Sequence, residues 1–168
     1  NPYKWMEYLN PEAGMLRMVA GLGTRAVERT PGDYPRLICL DRAQANLRTT
    51  MADRHKFSQR KVDVLDFAAK QLCTKPLEQI IGFLPDRQKK MVLSRDTEAE
   101  DMLAERHIYR KVYFADCQGL VDDMDFIHLM RDLMKMLEAA YERPVDVEFA
   151  VSCPDQGGWK LNLLQCRP

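Results

Sequence analysis

Val145, Val147, Phe149 and Val151 alternate with Asp146, Glu148 and Ala150. A period of two places the apolar side chains on one face of an extended chain and the carboxylates on the other. Pro144 precedes the run and bars a helix from continuing into it. A half-buried strand needs a partner, and Trp159 to Cys166 supplies one across the turn Pro154-Asp155-Gln156-Gly157-Gly158. The chain must therefore build an antiparallel hairpin with one face covered.

The clearest helix lies just upstream. Between Asp123 and Tyr141, the residues Phe126, Ile127, Met130, Leu133, Met134, Leu137, Ala140 and Tyr141 recur at helical spacing and form one apolar stripe. Asp122, Asp123 and Asp125 put negative charge where the helix dipole favours it. Short apolar runs at Met15–Ala20, Leu37–Leu40 and Val112–Ala115 read as strands, with a less regular one at Val62, Val64 and Phe67. Thr24–Arg29 reads as a short helix closed by Pro31-Gly32. Pro76 opens another over Leu77, Ile80, Ile81 and Leu84, and Thr97–His107 reads as a charged helical excursion. Residues 1–14 read as an irregular opening segment. Residues 41–60, with Arg42, Arg48, Arg54, Lys56 and Arg60, read as a solvated connection. Strands and helices mixed in this way define an α/β (α+β) class, a largely antiparallel sheet with packed helices.

The hairpin's register decides its chemistry. In the second strand Trp159, Leu161, Leu163, Gln165 and Arg167 share a face if it is regular. With an even number of residues in the connecting loop, Gln165 and Arg167 join Asp146 and Glu148; an odd number separates them. Together the four would offer two carboxylates, a carboxamide and a guanidinium. Hard oxygen donors suit magnesium, and a guanidinium can fork onto phosphate. The same pattern also describes the polar outer face of an ordinary half-exposed hairpin.

Charge excludes several classes. Lys and Arg number 25 and so do Asp and Glu, so no basic footprint for nucleic acid or a membrane surface is present. No apolar run nears the ~18 residues of a membrane helix. Cys39, Cys73, Cys117, Cys153 and Cys166 are scattered, odd in number and without a C-x-x-C pair, so they read as free thiols in a reducing cytoplasm. The ten methionines fall in apolar stripes and read as flexible core filling. His55, His107 and His128 read as surface or structural residues.

The stretch Pro144-Val145-Asp146-Val147-Glu148-Phe149-Ala150, followed by Leu163-Leu164-Gln165-Cys166-Arg167-Pro168, resembles the closing hairpin of the ATP-grasp domain in the phosphoenolpyruvate synthase and pyruvate phosphate dikinase family. That family ends its nucleotide domain with an Asp-x-Glu strand and a Leu-Gln-x-Arg strand. Asn1-Pro2 and Val19-Ala20-Gly21-Leu22-Gly23 resemble its entry segment and Gly-Leu-Gly turn. Members often continue with glutamate; this chain has Thr24-Arg25, and no site role carries over to position 24. The resemblance covers residues 1–42 and about 105–168. It implies an ATP site in which Glu148 and Gln165 hold Mg2+ and nucleotide phosphates, Asp146 assists, and Arg167 contacts the transferring phosphates as the catalytic residue. Gly21 and Gly23 would bring backbone close to the ATP or simply form a tight turn.

The resemblance further implies that residues 1–168 form one partial domain, the C-terminal subdomain of an ATP-grasp unit, cut from a larger protein. Its partners would be the N-terminal ATP-grasp subdomain, a phosphohistidine domain and a pyruvate-like acceptor, with no nucleic acid and no membrane. Two alternatives stand beside this reading. Gly21-x-Gly23-x-x-Ala26 with Asp41 downstream fits a dinucleotide-binding fingerprint. A non-catalytic interaction module derived from ATP-grasp is the other.

Overall fold

The computed structural model describes residues 10–28, 30–45, 50–154 and 156–168. Among these residues all strands pair antiparallel, but they divide into four separate two-stranded sheets. β1 (Met15–Met18) pairs with β2 (Arg36–Cys39), with α1 (Thr24–Val27) between them. α2 (Met51–Lys56) leads to β3 (Lys61–Asp66), which pairs with β4 (Gln71–Pro76). Then come α3 (Leu77–Ile81), α4 (Asp86–Val92), β5 (Leu93–Arg95) and α5 (Thr97–Ala104). β6 (Tyr113–Ala115) returns to pair with β5, and α6 (Gln118–Val121) and α7 (Met124–Tyr141) follow. β7 (Asp146–Ser152) and β8 (Lys160–Arg167) close the chain.

The predicted long helix has a physical counterpart in α7. Asp123 caps α7 by accepting the Phe126 amide at 3.1 Å. Phe126, Ile127 and Met130 are fully buried, and they anchor a core cluster with Leu16, Ile38, Leu40, Leu120 and Val121. Leu133 and Met134 pack partly against it. The stripe outruns its cover, because Ala140 and Tyr141 are exposed. A smaller cluster of Val62, Leu77, Leu93 and Ala115 lies beneath the β3–β4 hairpin, and Val92 packs against both clusters.

Two expectations need correction. Residues 41–60 are more than a solvated connection: they contain α2, and Ser58 and Gln59 are buried. Arg54 pairs with Asp116 at 2.6 Å and the His55 ring nitrogen Nδ1 lies 2.7 Å from Asp96 Oδ2, so α2 is held by a part-buried ion pair and an imidazole–carboxylate hydrogen bond in place of an apolar stripe. Arg48, and the first nine residues of the opening segment, lie outside the described residues. The dinucleotide alternative also fails. The strands flanking Gly21–Gly23 run antiparallel, and the helix after the turn has four residues, whereas the fingerprint requires parallel strands joined by a full crossover helix.

Candidate nucleotide site

The terminal hairpin places the four expected residues on one face, by a route that loop counting did not foresee. Ser152 pairs with Lys160, which leaves residues 153–159, an odd connection of seven. Continued regularly, that register would turn Gln165 and Arg167 away from the carboxylates. The register shifts between Glu148 and Phe149, however, and Phe149 opposes Leu163 while Glu148 opposes Gln165. Leu164 is the additional residue of a β-bulge. It restores the parity, so Asp146 faces Arg167 and Glu148 faces Gln165. Leu161 and Leu163 thus share a face with Phe149 and Val151, and the expectation that they share one with Gln165 and Arg167 is overturned by this single residue.

Arg167 Nη2 donates to Asp146 Oδ2 at 3.4 Å and to Glu148 Oε1 at 3.1 Å. The side chains of Arg167, Asp146 and Glu148 are 54%, 80% and 49% exposed, so the cluster is open to a ligand from solvent. The opposite face of β7 turns inward. Phe149 and Val151, with Leu161 of β8, pack against the main core, and Trp159 meets Phe126 edge-on. Trp159 Nε1 also donates to Asp123 Oδ2 at 2.9 Å, which ties the hairpin's turn to the start of α7.

Gly21 and Gly23 differ in what their positions demand. Gly21 has φ +86°, and a Cβ there would come within 2.4 Å of Val62 Cγ1 and 2.7 Å of the Asp63 carbonyl oxygen. Only glycine can lie against β3 in this way. Leu22 N then donates to the Asp63 carbonyl at 3.0 Å. Gly23 has φ −71° and open space around it, so its conformation does not require glycine. The turn is held by residues that sequence reading missed. The Gln59 carboxamide brackets Ala20, accepting from its amide at 2.7 Å and donating to its carbonyl at 2.9 Å.

Asp63 is the hub. Its carboxylate accepts from the Thr24 and Thr74 hydroxyls, each at 2.6 Å, and from Arg25 Nε at 3.0 Å. Arg25 also pairs with Asp33, which in turn accepts the Arg60 amide at 2.6 Å. Burial pushes the Asp63 carboxyl up, but the hydroxyl and guanidinium donors outweigh it and hold its pKa below the usual carboxylate value. Thr24-Arg25, to which the resemblance carried no site role, is thus a structural anchor. An acid flanked by Val62 and Val64 within β3 was the signal available for Asp63.

An apolar cavity of about 620 Å³ lies between the Gly21–Gly23 turn, Val62 and Val64 of β3, and Phe149–Pro154 of the terminal hairpin. Leu164, the bulge residue, also lines it. Asp146, Glu148, Gln165 and Arg167 are outside its lining and continue along the hairpin from it, so the structure brings the two glycines to the cavity and the four polar residues to the neighbouring face. Among the described residues no three of His, Cys, Asp and Glu converge as a metal cage. Asp146 and Glu148 with the Gln165 carboxamide still fit magnesium, which takes one or two carboxylates and fills its remaining positions with water and phosphate oxygens.

By class, then, this is an α+β module that presents a polar hairpin face next to an apolar cavity. The chain belongs to the pyruvate phosphate dikinase AMP/ATP-binding domain family, whose model matches residues 6–168. The resemblance of the terminal hairpin is thereby family membership, in a domain that binds AMP or ATP. No curated protein and no solved structure matches the chain. Among the described residues no helix is long and apolar enough to cross a membrane.

Proposed function

We propose that the face carrying Asp146, Glu148, Gln165 and Arg167 receives the phosphate end of ATP in a phosphotransferase of the pyruvate phosphate dikinase and phosphoenolpyruvate synthase type. The register that sets Asp146 against Arg167 and Glu148 against Gln165 carries this reading. Glu148 and Gln165 would hold Mg2+ and Asp146 would assist. Bound there, the ion would supply positive charge against the phosphate oxygens. Arg167 binds and orients the phosphate chain and neutralises the charge that develops on it. Gly21 and Gly23 form the cavity wall against which the apolar part of the nucleotide would rest.

In this reading the chain is a single partial domain of a larger cytoplasmic enzyme and forms one wall of the ATP site. The remaining wall would come from the N-terminal ATP-grasp subdomain. The phosphate would pass to a histidine on a further domain and then to pyruvate or a related acceptor. The test is ATP-dependent phosphorylation of the full protein, followed with labelled nucleotide. Arg167→Ala is expected to reduce it by about 10²-fold or more, the usual cost of removing one donor aimed at transition-state charge. An unchanged rate with Arg167→Ala would overturn the assignment.

A further inference from the structure

We propose that Arg167 acts as a built-in counter-ion that keeps a bare divalent cation off the hairpin and yields its place when phosphate arrives with the metal. The inference rests on the reading of this face as a metal and phosphate site. One guanidinium nitrogen, Nη2, reaches both Asp146 at 3.4 Å and Glu148 at 3.1 Å. The two carboxylates are therefore gathered around a single positive group, in the position a shared cation would take. Arginine cannot deprotonate to step aside. A metal ion must displace it physically.

The charge balance decides when that happens. Two carboxylates and one guanidinium leave the cluster with one negative charge. A divalent ion alone reverses this sign and strips the guanidinium of its acceptors. A phosphate delivered with the metal restores both the charge balance and the acceptors, because the planar fork of arginine matches phosphate oxygens. Gln165, opposite Glu148, offers a carbonyl oxygen without charge and leaves the balance unaltered. Metal and nucleotide thus bind with positive coupling, and each tightens the other by the same factor. The half-exposed setting keeps the competition modest, on the order of two- to five-fold, as for ion pairs in contact with solvent.

The experiment titrates Mn2+, which shares the oxygen-ligand preference of Mg2+, into the full chain and reads free Mn2+ by electron paramagnetic resonance. Arg167→Gln is expected to bind Mn2+ alone about two- to five-fold more tightly than the native chain, with Arg167→Lys between them. The tightening that a non-hydrolysable ATP analogue gives the native chain should shrink by a similar factor in Arg167→Gln. A purely structural role for Arg167 predicts the opposite sign, weaker metal binding on its removal. Equal or weaker Mn2+ binding in Arg167→Gln would overturn the inference while leaving the metal site intact. If Glu148→Gln leaves Mn2+ binding unchanged in the presence of the analogue, the metal reading of the face falls and takes the inference with it.

Discussion

Gly21 lies on β3 so closely that any side chain must displace Val62 or the backbone of Asp63. Gly21→Ala combines a left-handed φ with that overlap and is expected to destabilise the fold by about 2–4 kcal/mol in urea unfolding. Gly23→Ala, in open space at φ −71°, should stay within about 1 kcal/mol. The two glycines of one motif thus separate by measurement. Asp63 adds a pH signature. Its pKa is lower in the folded chain than in the unfolded one. The stability it contributes is therefore present above the unfolded value of about 4 and drains away as the pH falls through the folded value. Unfolding curves from pH 7 down to pH 2 should show Asp63→Asn losing less stability on acidification than the native chain. Cys117 makes the opposite point about reactivity. Burial pushes its thiol up to about 12, so it should resist alkylation in the native state, whereas the partly exposed Cys73 and Cys166 react.

At the level of elements, α7 and the terminal hairpin were legible because burial stamps a period on sequence. Phe126, Ile127 and Met130 pack at the centre of the core, and Phe126→Ala should cost about 3–5 kcal/mol. Met136, on the solvent side of the same helix, should cost no more than about 0.5 kcal/mol when truncated. The elements that escaped reading lack such a stamp. Among the described residues β4 pairs only with β3, its Gln71 and Leu72 are exposed, and no alternation records it. α4 runs Asp86-Arg87-Gln88-Lys89-Lys90 before Met91 and Val92 turn to the core. α2 docks through Arg54 and His55. The candidate site was half legible. Its residue types and strands could be named from the chain, but their common face depends on a bulge that leaves no compositional trace beside Leu163. Deleting Leu164 should therefore abolish the metal-dependent nucleotide binding proposed above, whereas Leu164→Ala, which keeps the residue count, should retain it. Calorimetric titration with an ATP analogue and Mg2+ distinguishes the two.

Across the whole molecule, cohesion is uneven. Among the described residues four two-stranded sheets share no strand, and two core clusters of different size meet at Val92 with the apolar cavity alongside. The smaller cluster buries four residues, and the β3–β4 hairpin above it exposes Leu65, Phe67 and Leu72. Native-state hydrogen exchange should find β3 and β4 opening at lower free energy than α7 and β1–β2. Equal protection of the two regions would show that the clusters unfold as one cooperative unit. The bulge at Leu164 also has a consequence for how chains of this kind can change length. It works like a second frameshift that repairs a first: the odd turn puts the strand out of frame, and the extra residue puts it back before the polar positions are reached. A relative whose turn is one residue shorter could keep the same polar face only by losing the bulge as well. Length changes at the turn and at position 164 should accordingly occur in pairs, and an alignment that places a gap in one without the other would mark a chain whose four polar residues no longer meet.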